Sequence, residues 1–198
     1  MTNTSNLTVD ARMIPDSTTA TATDASEAAA PDTGAIHIRI ATDDDADGII
    51  ALVADCYAEY AGCVLLVDEE APDLRQPASA FGRILGNVWV ALDETAKDDP
   101  KIVGVVAYAP TDAPGMARIH RLFVNARYRG HGIGPRLSAL AEDAACTGGA
   151  DIMMLYTDSR FERAQRMVER YGYHRQKGAR RLADASNSLQ YTYTKTLG

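Results

Sequence analysis

Residues 121–137 read RLFVNARYRGHGIGPRL. Leu122, Phe123 and Val124 close an apolar strand pattern, and Gly130, Gly132 and Gly134 interrupt it. Ile133, Leu137, Leu140, Ala141 and Ala144 then recur at helical spacing until Gly148 and Gly149 end the pattern. A strand therefore runs into a glycine loop that opens a helix. Glycine lets a backbone approach a ligand closely. The first turn of a helix adds unpaired N–H groups and the positive end of its dipole. Together they make an anion site suited to phosphate or pyrophosphate. Arg127, Arg129 and Arg136 add cations, and Pro135 falls in the first turn, where a missing N–H costs nothing.

Two familiar nucleotide-binding patterns do not fit. A P-loop needs Gly-Lys-Ser/Thr, and here Gly134 is followed by Pro135 and Arg136. The dinucleotide fingerprint needs a third glycine three residues after the second, where this chain has Pro135 or Leu137. The pattern that fits is R-x-x-G-x-G, running from Arg129 through Gly130, His131, Gly132 and Ile133 to Gly134. Upstream, Ala117 and Ile119 alternate at period two, but the next apolar pair is Leu122 and Val124. A slip of one residue is the mark of a β-bulge, which frees backbone N–H groups beside a site.

Outward from this stretch, strands are expected at 36–41, 87–93, 101–109, 116–124 and 151–157, with a closing pair within 173–197. Helices are expected from Thr42 to about Tyr60, over 78–85, from Ile133 onward and from Phe161 to Tyr171, with 61–80 otherwise irregular. This order predicts an α+β fold: one mixed, mostly antiparallel central sheet with helices on both faces.

The chain has 198 residues, 46% hydrophobic and 24% charged, enough for one domain with a real core. Residues 1–35, rich in Thr, Ala, Ser, Asp and Pro, lack periodicity and read as a disordered tail, leaving 36–198 as the domain. Twenty Lys and Arg against 27 Asp and Glu give a net charge of −7, the opposite of a nucleic-acid surface. No run is long and apolar enough for a membrane span, and no secretory or transit signal is expected. Cys56, Cys63 and Cys146 form an odd set without C-x-x-C, which favours a reducing, cytoplasmic setting over a disulfide framework. His37 and His174 lack metal-ligand spacing, so no metal is expected.

With these residues in hand, the chain resembles the GNAT superfamily of acetyl-CoA-dependent N-acetyltransferases over 36–198. RLFVNARYRGHGIGPRL looks like its acetyl-CoA-binding motif, and RFERAQRMVERYGYHR like its helix that ends in a Gly-aromatic pair. The resemblance implies that the backbone of Arg129, Gly130, His131, Gly132, Ile133 and Gly134 binds the pyrophosphate of acetyl-CoA. It implies that Leu122, Phe123 and Val124 pair with the pantetheine arm through their backbones. It further implies an N–H at the bulge that polarises the thioester, and splayed strands that admit the cosubstrate. The acceptor would be a small-molecule or protein amine, and a homodimer is an expectation of the resemblance alone.

The chain departs from the family in two places. Arg118 stands where a Glu is usual, and Val168 where a Tyr often acts as acid. His120, two residues along the strand, is the candidate base, since an imidazole titrates near neutral pH. Tyr156 and Tyr171 are candidate acids, with Tyr171 expected in the core. Asp158 and Arg160 are read as a surface ion pair near the acceptor mouth. Asp68, Glu69, Glu70 and Asp73 are either a solvated loop or an acidic lid for a cationic acceptor. Two functions stay open: an N-acetyltransferase, and a non-catalytic acyl-CoA-binding sensor module.

Overall fold

The computed structural model describes residues 36–95 and 101–198. The tail expected over 1–35 lies outside the described residues, as does 96–100 of the connection between the second and third strands. The strands are β1 (Ile36–Ile40), β2 (Asn87–Asp93), β3 (Lys101–Pro110), β4 (Met116–Val124), β5 (Ile152–Asp158), β6 (His174–Arg175), β7 (Arg180–Arg181) and β8 (Leu189–Thr196). They form one sheet in the order β1-β2-β3-β4-β5-β8-β6, with β7 also on β8. Only β4 and β5 run parallel; every other described pair is antiparallel.

The helices are α1 (Ala46–Ala58), α2 (Val67–Glu70), α3 (Pro77–Gly82), α4 (Ile133–Thr147) and α5 (Glu162–Arg170). They cover both faces. Ile133, Leu137, Ala141 and Val168 of α4 and α5 pack with Val106 and Tyr108 of β3 on one side. Ile49, Leu52, Val53 and Cys56 of α1 pack with Val105, Ala107 and Ala109 of the same strand on the other. Strand β3 is thus covered on both faces, which explains why KIVGVVAYAP is a continuous apolar run rather than an alternating one. Helix α1 starts where Asp45 accepts from the Thr42 N–H at 2.7 Å and pairs with Arg39 at the same distance.

The stretch 61–80 is more ordered than its composition predicts. It holds α2, a 3-10 turn at Pro72–Arg75 and the start of α3. Pro72 and Pro77 each begin a helical turn, where proline has no hydrogen bond to lose, and Leu74 and Phe81 anchor these turns in the α1-side core. Strand β7 was not expected, because Arg180 and Arg181 carry no apolar alternation.

Candidate active site

The site begins where two strands part. Strand β4 pairs with β5 from Met116↔Ile152 to Ile119↔Leu155 and no further. On its other edge, Ala107 faces His120 but Val105 faces Phe123, so β4 carries one residue more than β3. The extra residue lies at Arg121–Leu122, where the apolar alternation slips. Arg121 adopts φ 50°, a left-handed conformation uncommon for a side chain of its size. Its guanidinium is clamped by Asp73 of the 3-10 turn at 2.7 and 2.9 Å. The loop acid therefore holds the bulge from outside the sheet.

Beyond the bulge the main chain alternates. The Asn125 N–H donates to Val103 O, so Val124 turns its own N–H and carbonyl away from β3, and Phe123 turns its pair toward Val105. The backbone of Phe123, expected on the pantetheine, is occupied by β3. What it offers the cleft is its ring, edge-on to Tyr57 at 5.8 Å. The Val124 carbonyl accepts from Arg129 Nε at 2.9 Å, which leaves the N–H.

The same arginine fixes the glycine loop. Arg129 Nη2 donates to Glu59, the C-cap residue of α1, at 2.6 Å, so its side chain is a structural clamp. Burial of Cys56 beneath it pushes that thiol up, away from reactivity, against the pull of the guanidinium. The His131 ring is exposed and lies 3.0 Å from Arg129 O. Gly132 caps α4 at φ 79°. Among the described residues, none accepts a hydrogen bond from the main-chain N–H of Gly130, His131, Gly132, Ile133 or Gly134. Five donors without an acceptor thus cluster at the positive end of a 15-residue helix, a set suited to a diphosphate.

These parts border a cleft of about 740 Å³, which Tyr57 of α1 and Tyr60 just beyond it also line. His120 lies on its wall, with its ring edge-on to Phe81 and Nε2 accepting from Arg118 Nε at 2.8 Å. Burial, followed by the charges of Arg118 and Arg121, lowers its pKa to about 4. The imidazole is therefore neutral near pH 7 and a weaker base than its ordinary pKa suggests. Val168 is buried in the core. Tyr171 is not, contrary to expectation: it follows the last residue of α5 as its C-cap, is exposed and lines the cleft. Tyr156 also lines the cleft, and the guanidiniums of Arg118 and Arg180 lie 5.5 and 4.9 Å from the centre of its ring.

The pair Asp158–Arg160 is not on the surface. Asp158 is buried in the cleft wall and bound by Arg160 at 2.8 and 2.9 Å, which holds the carboxylate ionised against the cost of burial. Of the four acids named in 61–80, Glu69 is exposed, and the other three are engaged. Asp73 holds Arg121, Asp68 holds Arg75, and Glu70 accepts from the Ala185 N–H. Sequence reasoning missed Arg180 and Glu59, and named Asp73 only as a loop acid, without its hold on Arg121. Nothing local marks Arg180 within its dibasic run, and the pairs Glu59–Arg129 and Asp73–Arg121 span 70 and 48 residues. Among the described residues no three His, Cys, Asp or Glu side chains group as metal ligands, and no helix is long and apolar enough to cross a membrane.

A family model described as the acetyltransferase (GNAT) family matches residues 53–173. A Xenopus tropicalis protein named "Probable N-acetyltransferase 14" is 31% identical over 124 residues, 63% of this chain; the chain spans 58% of that relative's length. A GNAT-family acetyltransferase from Staphylococcus aureus Mu50 superposes at TM-score 0.69 with 19% identity, over 83% of this chain and all of that one. An acetyltransferase from Streptococcus agalactiae 2603 gives TM-score 0.68 with 18% identity, over 82% and 99%. A chain of a NatC complex bound to Gag peptide and CoA gives 0.62 with 18% identity, over the same shares. These structural likenesses establish the fold.

Proposed function

The chain belongs to the GNAT acetyltransferase family, and on that premise we propose that it moves an acetyl group from acetyl-CoA to a primary amine by direct attack on the thioester. One observation carries this reading: five main-chain N–H groups without acceptors, at the head of α4, on a cleft that opens where β4 leaves β5. The cosubstrate supplies the activated acetyl group. The N–H groups from Gly130 to Gly134 hold its pyrophosphate, with Arg129 tied back to Glu59 so that the loop keeps its shape. The Val124 N–H and the main chain of Leu122 run beside the pantetheine arm, and the Phe123 ring packs against it. An N–H of the Arg121–Leu122 bulge polarises the carbonyl; one such donor lowers a barrier by about 3 kcal/mol.

His120 is the proton acceptor in this reading. Neutral at working pH, it takes a proton on Nε2 from the attacking amine as the bond to the acetyl carbon forms, with Arg118 releasing its hydrogen bond to that ring nitrogen. A thiol of pKa ~8.5 leaves as thiolate without a strong acid, so Val168 does not stop the reaction. Tyr156 and Tyr171 are the phenols placed to assist. Three free cysteines support a reducing compartment such as the cytoplasm.

A second reading, a non-catalytic acyl-CoA-binding module, is favoured by the weak basicity of His120 together with Val168. One experiment separates the two: acetyl-CoA with a panel of small and peptide amines, following free thiol. Thiol release that depends on one class of amine supports the transferase. Thermal stabilisation by CoA with no release for any amine supports the module, and no stabilisation at millimolar CoA defeats both.

A further inference from the structure

At the acceptor end of the cleft, which Glu70, Asp158 and Asp184 also line, two guanidiniums stand without a carboxylate partner among the described residues. Of the guanidiniums there, Arg121 is held by Asp73 and Arg160 by Asp158. Arg118 and Arg180 are different. Among the described residues neither has a carboxylate within 4.0 Å; Arg118 donates to neutral His120, and Arg180 to the side-chain oxygen of Gln190 at 2.9 Å. Both guanidiniums lie within 5.5 Å of the Tyr156 ring centre, and all three residues line the cleft. They come from separate strands, β4, β5 and β7, which the sheet brings together beside the bulge. Two guanidiniums without a carboxylate partner, both beside one aromatic ring, offer a receptor for a carboxylate, because the planar fork matches it.

The acceptor end is also strapped. Segments 61–75 and 182–188 are laced together by Val64 N–H to Ser186 Oγ at 2.8 Å, Ser186 Oγ to Val64 O at 3.2 Å and Ala185 N–H to Glu70 Oε1 at 2.7 Å. Val64, Glu70 and Ser186, which make these bonds, line the cleft.

We propose that the acceptor is a small amine that bears a carboxylate near its amino group, an amino acid, with the carboxylate held by Arg118 and Arg180 against Tyr156. This rests on the transferase reading and narrows it: the cationic acceptor that an acidic loop would attract is replaced by an anionic or zwitterionic one. The charge of Arg118 draws the carboxylate to the sheet, and the amine then points along β4 toward the bulge.

The test uses binding as well as turnover. N-acetyl derivatives of a panel of amino acids, as free acids and as C-terminal amides, are titrated calorimetrically into the CoA-loaded protein. We expect at least one acid to bind about tenfold or more tightly than its amide. Arg118→Gln and Arg180→Gln should each reduce that preference about tenfold and leave CoA affinity unchanged. Arg180 is exposed, so its variant keeps the test valid if Arg118→Gln fails to fold. Equal binding of acids and amides, no binding of either, or an acid preference that survives both variants overturns the proposal. So does faster thiol release with acidic peptides than with free amino acids. No thiol release with any amine, alongside an intact acid preference, defeats the transferase reading instead and leaves the carboxylate site standing.

Discussion

At the scale of single residues, position decides what a familiar side chain can do. Gly132 sits at φ 79° with open space where a Cβ would project, so Gly132→Glu strains the backbone by roughly 1–2 kcal/mol without a clash. Against the ~5–15 kcal/mol of a typical domain the fold survives. The new carboxylate falls among five N–H donors that would otherwise face pyrophosphate, so CoA affinity should drop more than tenfold while melting changes by a few degrees. Calorimetric titration with CoA checks this, and unchanged affinity would remove the loop from the binding site. His120 shows the same dependence on surroundings. Its folded pKa of about 4 lies below the ordinary value of 6.5, so between these limits the unfolded chain binds more protons than the native one. Stability therefore falls as pH drops from 6.5 toward 4, by at most ~1.4 kcal/mol per pH unit from this group. His120→Gln keeps an acceptor for Arg118 but cannot titrate. It should flatten the urea midpoint across that window and lower kcat about a hundredfold. A loss under threefold would take the proton-acceptor role from His120.

At the scale of elements, the site depends on how closely α4 approaches the sheet. Gly104 of β3 lies under its first turn, and a Cβ there would stand 3.0 Å from Leu137, 3.1 Å from Ile133 and 3.2 Å from Ala91. Gly104→Ala must push against Ala91, a short side chain on a buried strand, so the displacement goes into Ile133, the first residue of α4. The expected cost is about 1–3 kcal/mol, read by denaturant unfolding, with a severalfold loss of CoA affinity as the N–H groups shift. Equal stability and affinity would mean that α4 is not seated by this contact. Elements of this kind were legible before any coordinates. The period-two runs of β2, β4 and β8 and the helical spacing of α1, α4 and α5 are local signals, and the phase slip at Leu122 located the bulge to within a residue. The 61–76 region was not legible, because Leu74 is a lone apolar anchor that shows no period; only the core it reaches makes a helical turn of its neighbours. The site divides the same way. The glycine loop is written in consecutive residues, whereas the clamps on Arg121 and Arg129 and the approach of Arg118 and Arg180 to Tyr156 join distant segments.

At the scale of the whole molecule, the sheet is one surface with a weak seam. Strands β1 to β4 are joined by long antiparallel ladders, and β5 with β8 by another, but the two parts meet only along the four residue pairs from Met116↔Ile152 to Ile119↔Leu155. Apolar clusters on both faces cover the β1–β4 part, and α4 and α5 bridge the seam from one side only. A ligand lying in the opening from the bulge to the head of α4 would add backbone hydrogen bonds where the sheet lacks them. Native-state hydrogen exchange should reveal this as a pattern rather than a uniform gain. On addition of CoA, the amides of Leu122, Val124 and Gly130 to Gly134 should slow by an order of magnitude or more, because opening them then requires losing the ligand. The amides of β3 at Val103, Val105 and Val106 are already sealed in both clusters and should change little at low denaturant. Phe123, whose N–H is held by β3, should follow them rather than its neighbours. Slowing spread evenly over the chain, or confined to α5 and β8, would place the ligand elsewhere and would undo the assignment of the seam as the binding cleft.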